Sequence, residues 1–260
     1  MNDLLDQVAA KPSKPNPEVK KRSVNEDINN YFSFVDRRIE RVSKRGHYDD
    51  EALRYLIALS LIDALSTVAY PESKVSDRFT KAVLELADWD DANRVSRMYL
   101  ARFLELAPND RFADAEAKYN SIPKSYRNGI LIGLSRDPMI DEVETVWPLM
   151  RHEKEKNLEI SLFGMTHASL LYQQRNYLVH EQRDGMLGQD FTGGSRPYYY
   201  VQRMEDLETD HIVLAYPIKF VINLCSKVAE GTKQRCVQEH RSPYENFSKG
   251  HFVYSQLDYA

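Results

Sequence analysis

Cysteine is nearly missing from this chain, which has two in 260 residues. Cys225 and Cys236 fall on one expected helix, and at 1.5 Å of rise per residue they lie about 16 Å apart, too far to bridge. Free thiols suit a reducing cytoplasm. Glycine and proline are sparse, at 10 and 11 residues, and the overall composition is ordinary, which excludes collagen-like and disordered chains. A basic balance is lacking too. The formal net charge is −4 and the pI about 6.0, so any contact with RNA has to be a local patch rather than the whole surface. No apolar run approaches the roughly 20 residues that span a bilayer. The opening Met1-Asn2-Asp3-Leu4-Leu5-Asp6 has neither the basic stretch nor the apolar core of a signal peptide. The expectation is a cytoplasmic protein with no membrane partner.

Familiar catalytic signatures are also missing. There is no Gly-x-x-x-x-Gly-Lys-Ser/Thr loop, no Gly-x-Gly-x-x-Gly turn and no Gly-x-Ser-x-Gly elbow. His-Glu occurs at 152–153 and 180–181, but neither has the second His at the zincin spacing. The acidic pairs Asp49-Asp50 and Asp90-Asp91 read as helix caps.

What the chain does have is helical periodicity and enough apolar content, 42%, for a substantial core. Residues 1–22 contain Lys11-Pro12-Ser13-Lys14-Pro15-Asn16-Pro17 and read as a tail and linker. Phe32, Val35, Ile39 and Val42 recur at helical spacing and predict a helix over 25–44, stopped by Gly46. The next helix, about 50–69, is apolar almost all round and predicts a central, buried element. Further helices are expected at 75–87, 91–106, 122–134, 157–181 and 217–238, with Pro217 in the first turn of the last. Between them, 184–212 reads as an insertion. It begins with a glycine-bearing loop, and its β-prone Tyr198-Tyr199-Tyr200-Val201 and Ile212-Val213-Leu214 could pair as a hairpin. The expected architecture is mainly α, one expanded helical domain over 23–241, followed by an irregular aromatic tail over 242–260. Trp89 and Trp147 read as core anchors, and His167 as a satisfied helix histidine.

One segment combines residues with a shared chemistry. In Gln173-Gln174-Arg175-Asn176-Tyr177-Leu178-Val179-His180-Glu181, Asn176 and His180 share a helix face and Arg175 lies one position round, just before the glycine-bearing loop. His can move protons at neutral pH, Arg offers a charged donor fork to phosphate oxygens, and Asn can orient either. That chemistry calls for no metal or other cofactor. Downstream, Arg196, Tyr198, Tyr199, Tyr200 and Arg203 interleave cations with aromatics, a composition that could stack bases and contact phosphates of single-stranded RNA. The alternative is a hairpin whose tyrosines pack on the helices.

Arg-x4-His, with Asn directly after the Arg, resembles the signature of the HEPN superfamily of small all-α proteins. Two other spacings of this kind, Arg41 to His47 and Arg235 to His240, lack the following Asn. The resemblance covers about 155–240, with a long helix ending in the motif, an insertion, and a closing apolar helix. It implies an HEPN-like helical bundle and a metal-independent endoribonuclease of toxin, antiphage or stress-defence type, with Arg175 and His180 catalytic and Asn176 supporting them. It also implies RNA as substrate, a homodimer that brings two motifs into one cleft, and an antitoxin or regulatory protein as a further partner. Some members carry a modifiable Tyr two places after the motif His; here that residue is Gln182. A non-catalytic helical module that binds RNA, nucleotide or protein is the reading from a different class.

Overall fold

The computed structural model describes residues 22–44, 51–106, 110–122, 131–148, 162–181, 193–202 and 211–247. The Gly46 stop, the cap at Asp49 or Asp50, residues 184–192 and Gln182 lie outside them, as do Arg203, the 1–21 linker and the tail beyond 247.

The fold is mainly helical with a small antiparallel sheet. Helix α1, Val24–Ser43, starts in a capping box in which Ser23 and Glu26 satisfy each other's orphan backbone donors. Helix α2, Glu51–Ala69, packs mainly on the last helix and on α3, Val75–Leu86. Helices α4, Arg97–Leu106, α5, Ala113–Tyr119, and α6, Ile140–Glu144, follow. Then come α7, His167–Asn176, and α8, Ile218–Gln238. Strand β1, Ile132–Gly133, pairs with β2, Tyr198–Gln202, which pairs in turn with β3, His211–Ala215. The expected hairpin is therefore present, with Tyr199 opposite Leu214, and a third strand extends it.

One cluster of buried side chains joins α1, α2, α3, α7, the sheet and α8. A second, centred on Leu100, Phe112, Ile140 and Leu162, packs α4 to α6 around Trp147. Cys225 and Cys236 are both free and buried on α8. Helix α2 is less enclosed than its composition predicts. Leu59, Ile62, Leu65 and Val68 are fully buried, whereas Leu56, Ile57 and Leu61 are half-buried and Leu53 is exposed. With 19 residues and a mean hydropathy of 1.5, α2 also comes closer to the length and composition of a membrane span than its sequence suggests at first sight. Its two interior ionisable groups are spoken for inside the fold. Buried Arg54 donates to the carbonyls of Val42 and Ser43 at the end of α1, and Asp63 is ion-paired.

Three helix expectations need correction, each because tertiary contacts override local propensity. Residues 132–134, expected at the end of a 122–134 helix, form β1 and the start of a tight turn, since Ile132 pairs with Tyr199. Helix α4 starts at 97 rather than 91. The backbone of 92–96 is drawn instead into bonds with Pro138, Met165, His167 and Ala168. Asp91 caps no helix and binds Arg94 at 2.7 Å, while Asp137, forty residues away, accepts the Arg97 N–H at the start of α4. Within the expected 157–181 helix, Leu162–Met165 forms a tight turn instead, and the helix starts where Thr166 accepts the Ser169 N–H, residues 157–161 lying outside the described residues.

A fully buried polar knot locks these parts. His167 holds Asp137 through Nε2 and Tyr216 through Nδ1, each at 2.8 Å. Tyr199 donates to the same Asp137 oxygen at 2.5 Å and bonds Ser96 at 2.9 Å. Such groups survive burial only when paired. Burial first, then the Asp137 charge, pushes the Tyr199 phenol well above its ordinary range. His167 is thus a satisfied histidine, and Trp89 packs beside it, ring centroids 6.2 Å apart.

Candidate active site

Helix α7 does not run straight through the motif. At its end, Tyr177–Glu181 opens into a π turn. The change matters because five residues span about 1.4 turns of an α-helix, which would splay Arg175 and His180 apart, whereas i→i+5 winding stacks them. Asn176 and β-branched Val179, both weaker helix formers, suit a widened turn. Leu178 anchors it, buried in the main core. Tyr177 is half-buried beside Tyr99, whose phenol is pushed up to about 12, by burial first and then by Tyr177.

The result brings the three expected residues together. Arg175 Nη1 donates to Asn176 Oδ1 at 3.0 Å and meets His180 Nε2 at 3.2 Å. A guanidinium carries donors only, so this contact is made while Nε2 is unprotonated and acts as acceptor. His180 is exposed, and Arg175 and Asn176 are half-buried. The imidazole therefore faces solvent while the guanidinium behind it is held.

A fourth residue enters from α2. Asp63 Oδ2 accepts from Arg175 Nη2 at 2.7 Å, with the two side chains 16% and 14% exposed. Among the described residues, Asp63 Oδ1 and Arg175 Nε are buried without a hydrogen-bond partner, so the pair retains unused polar capacity. Sequence reasoning missed Asp63, yet a signal was present. A lone carboxylate inside Ser60-Leu61-Ile62-Asp63-Ala64-Leu65 requires a partner when the helix packs, although nothing local says which.

The downstream set is not gathered here. Arg196 is exposed, Tyr200 is half-buried, and Tyr198 and Tyr199 are buried at 5% and 0% exposure. Tyr199 serves the buried knot, and Tyr198 packs at 6.0 Å from the Tyr200 ring, so the two inner tyrosines offer no open face to a base. Among the described residues, no cluster of three or more His, Cys, Asp or Glu is placed to hold a metal ion. Arg235 of the second Arg-x4-His spacing on a helix is turned to Glu239 at 2.7 Å and to the Tyr70 ring.

No known protein family, curated protein or solved structure matches the chain.

Proposed function

We propose that the chain is an HEPN-type endoribonuclease that cleaves RNA by internal transesterification, acting as a toxin or as an antiphage or stress-defence effector. The observation that carries this reading is the Arg175–His180 contact across the π turn, with Asn176 and Asp63 fixing the guanidinium. In the reaction, a ribose 2′-hydroxyl attacks the adjacent phosphorus. The 2′-O–P bond forms, the P–O5′ bond breaks, and the products are a 2′,3′-cyclic phosphate and a 5′-hydroxyl. An unprotonated His180 takes the 2′-hydroxyl proton, exchanging its contact with Arg175 for one with the ribose. Arg175 places permanent positive charge where the phosphorane oxygens gain negative charge. Asn176 aims the guanidinium, and Asp63 is a positioning residue that holds it from behind. One imidazole carries one transferable proton at a time, so a second histidine at the leaving oxygen would complete the chemistry. A homodimer with two-fold symmetry would supply it. No metal or cofactor enters these steps.

The test is cleavage of single-stranded RNA in the presence of a chelator, with cyclic phosphate ends as the readout. Wild type is expected to yield them, and His180→Ala to lose activity by at least about 10²-fold, the scale of a general acid–base contribution. Cleavage by His180→Ala at the wild-type rate would remove the assignment.

One observation favours a second reading. The Arg175 guanidinium already spends Nη2 on Asp63 and Nη1 on Asn176, as an architectural tie would. In that case the chain is a non-catalytic helical module that binds RNA, nucleotide or a protein partner. Expression in cells separates the two. Growth arrest relieved by His180→Ala fits the nuclease, and arrest that persists in that variant fits the binding module.

A further inference from the structure

Helix α1 presents a face that no packing among the described residues covers. Its inner face, with Ile28, Phe32, Val35 and Val42, is buried in the main core. On the opposite face, Asn30, Phe34, Arg37, Arg38 and Arg41 follow helical spacing, and all five are exposed. Phe34 stands 45% exposed, with the Arg38 guanidinium 4.9 Å from its ring centroid. Neither Arg37 nor Arg41 has a hydrogen bond or ion pair among the described residues, and four residues of rise set them about 6 Å apart along the axis. The carboxylates of the same helix lie elsewhere. Asp36 and Glu40 line the groove toward Lys233 of α8, and Glu40 also binds Lys44 at 2.6 Å. In a chain of net charge −4, the exposed guanidiniums of Arg37, Arg38 and Arg41 gather beside an exposed aromatic ring, and Arg41 also acts on the neighbouring Glu40 carboxylate.

We propose that this α1 face is a docking surface for single-stranded RNA. The guanidiniums of Arg37 and Arg41 pair with successive backbone phosphates, and the Phe34–Arg38 stack receives a base. Charge complementarity selects the phosphate backbone, and the exposed ring selects a strand whose bases are unpaired and free to stack. A duplex hides its base faces, so it would use the arginines alone. The choice of RNA rests on the ribonuclease reading, with α1 holding the strand while the Arg175–His180 site cuts it.

The test is fluorescence anisotropy of a labelled 2′-O-methyl RNA oligonucleotide titrated with the full chain. Lacking the attacking hydroxyl, the probe reports binding whether or not the chain cleaves RNA. The triple change Arg37→Gln, Arg38→Gln and Arg41→Gln is expected to weaken binding at least 10-fold. It should also flatten the log–log salt dependence by about 1.4, because each of the two single-strand phosphates that the protein ceases to neutralise subtracts about 0.7 from the slope. All three side chains are exposed, so circular dichroism should show an unchanged fold, and Arg→Lys at the same positions should restore most of the affinity. Phe34→Ala should weaken the single strand and leave a duplex of the same sequence unaffected. Wild-type affinity and salt slope in the triple Gln variant would overturn the surface while leaving the nuclease reading to its own cleavage test. So would absence of binding by the wild type, or its capture by anionic vesicles in place of the oligonucleotide. An equal response of duplex and single strand to every change, Phe34→Ala included, would overturn the single-strand assignment.

Discussion

At the scale of single residues, the site depends on what holds the Arg175 guanidinium. Arg175→Ala leaves the Asp63 carboxylate in a half-buried site without its cation, and it should cost about 1–3 kcal/mol of stability as well as activity. Asp63→Ala strands the guanidinium in the same way. If the two act as one unit, chemical denaturation of the double variant should show a loss clearly smaller than the sum of the singles, with a coupling of about 0.5–3 kcal/mol. Simple additivity would mean that the ion pair is incidental. His180→Ala, at an exposed position, should leave stability within about 0.5 kcal/mol of wild type. The motif was legible because its three residues are local in sequence. Asp63 was not, since it acts across 112 residues and through a fold that places α2 against the end of α7.

At the scale of elements, periodicity located α1, α3 and α8 to within a residue or two, because each buries one continuous stripe, and the nearly all-apolar run located α2 as closely. It failed where backbone groups bond at long range. Strand β1 exists only because Tyr198 and Tyr199 supply its ladder, and the missing first turns of α4 were claimed by the segments around 138 and 165. The π turn was likewise invisible, since a 3.6-residue period assumes the winding that it breaks. The close approach of α3 and α8 yields a sharp expectation. A Cβ on Gly231 would sit 2.8 Å from Leu86 Cβ and 3.1 Å from the Leu86 carbonyl oxygen, so the backbone of one helix must move. Gly231→Ala should therefore destabilise the protein by about 1–3 kcal/mol, the cost of overpacking, although alanine is the better helix former. A thermal melt checks this, and a stabilised variant would refute the close packing.

At the scale of the whole molecule, protonation links the buried knot to stability. Burial pushes the Cys225 thiol up to about 12, and Tyr99 up to about 12, while Tyr199 and Tyr216 rise well above the ordinary phenol range. In the unfolded chain these groups release protons from about pH 8.5 to 10, whereas the folded chain keeps them. The folded state thus binds more protons in alkali, and its stability must fall as pH rises. Denaturation midpoints should decline steadily from about pH 8.5 toward pH 12. Tyr199→Phe should reduce the slope above pH 10 by removing one of the contributing phenols. A stability that holds level to pH 12 would contradict the burial of these groups.

The central claim is that the Arg175–His180 pair cuts RNA, and the most direct measurement is chelator-treated cleavage of single-stranded RNA by wild type and His180→Ala, resolved by product ends. The expected result is 2′,3′-cyclic phosphates from the wild type and a loss of at least about 10²-fold in a variant that melts like the wild type. Equal cleavage by a folded His180→Ala protein, or products lacking cyclic phosphate, would contradict it.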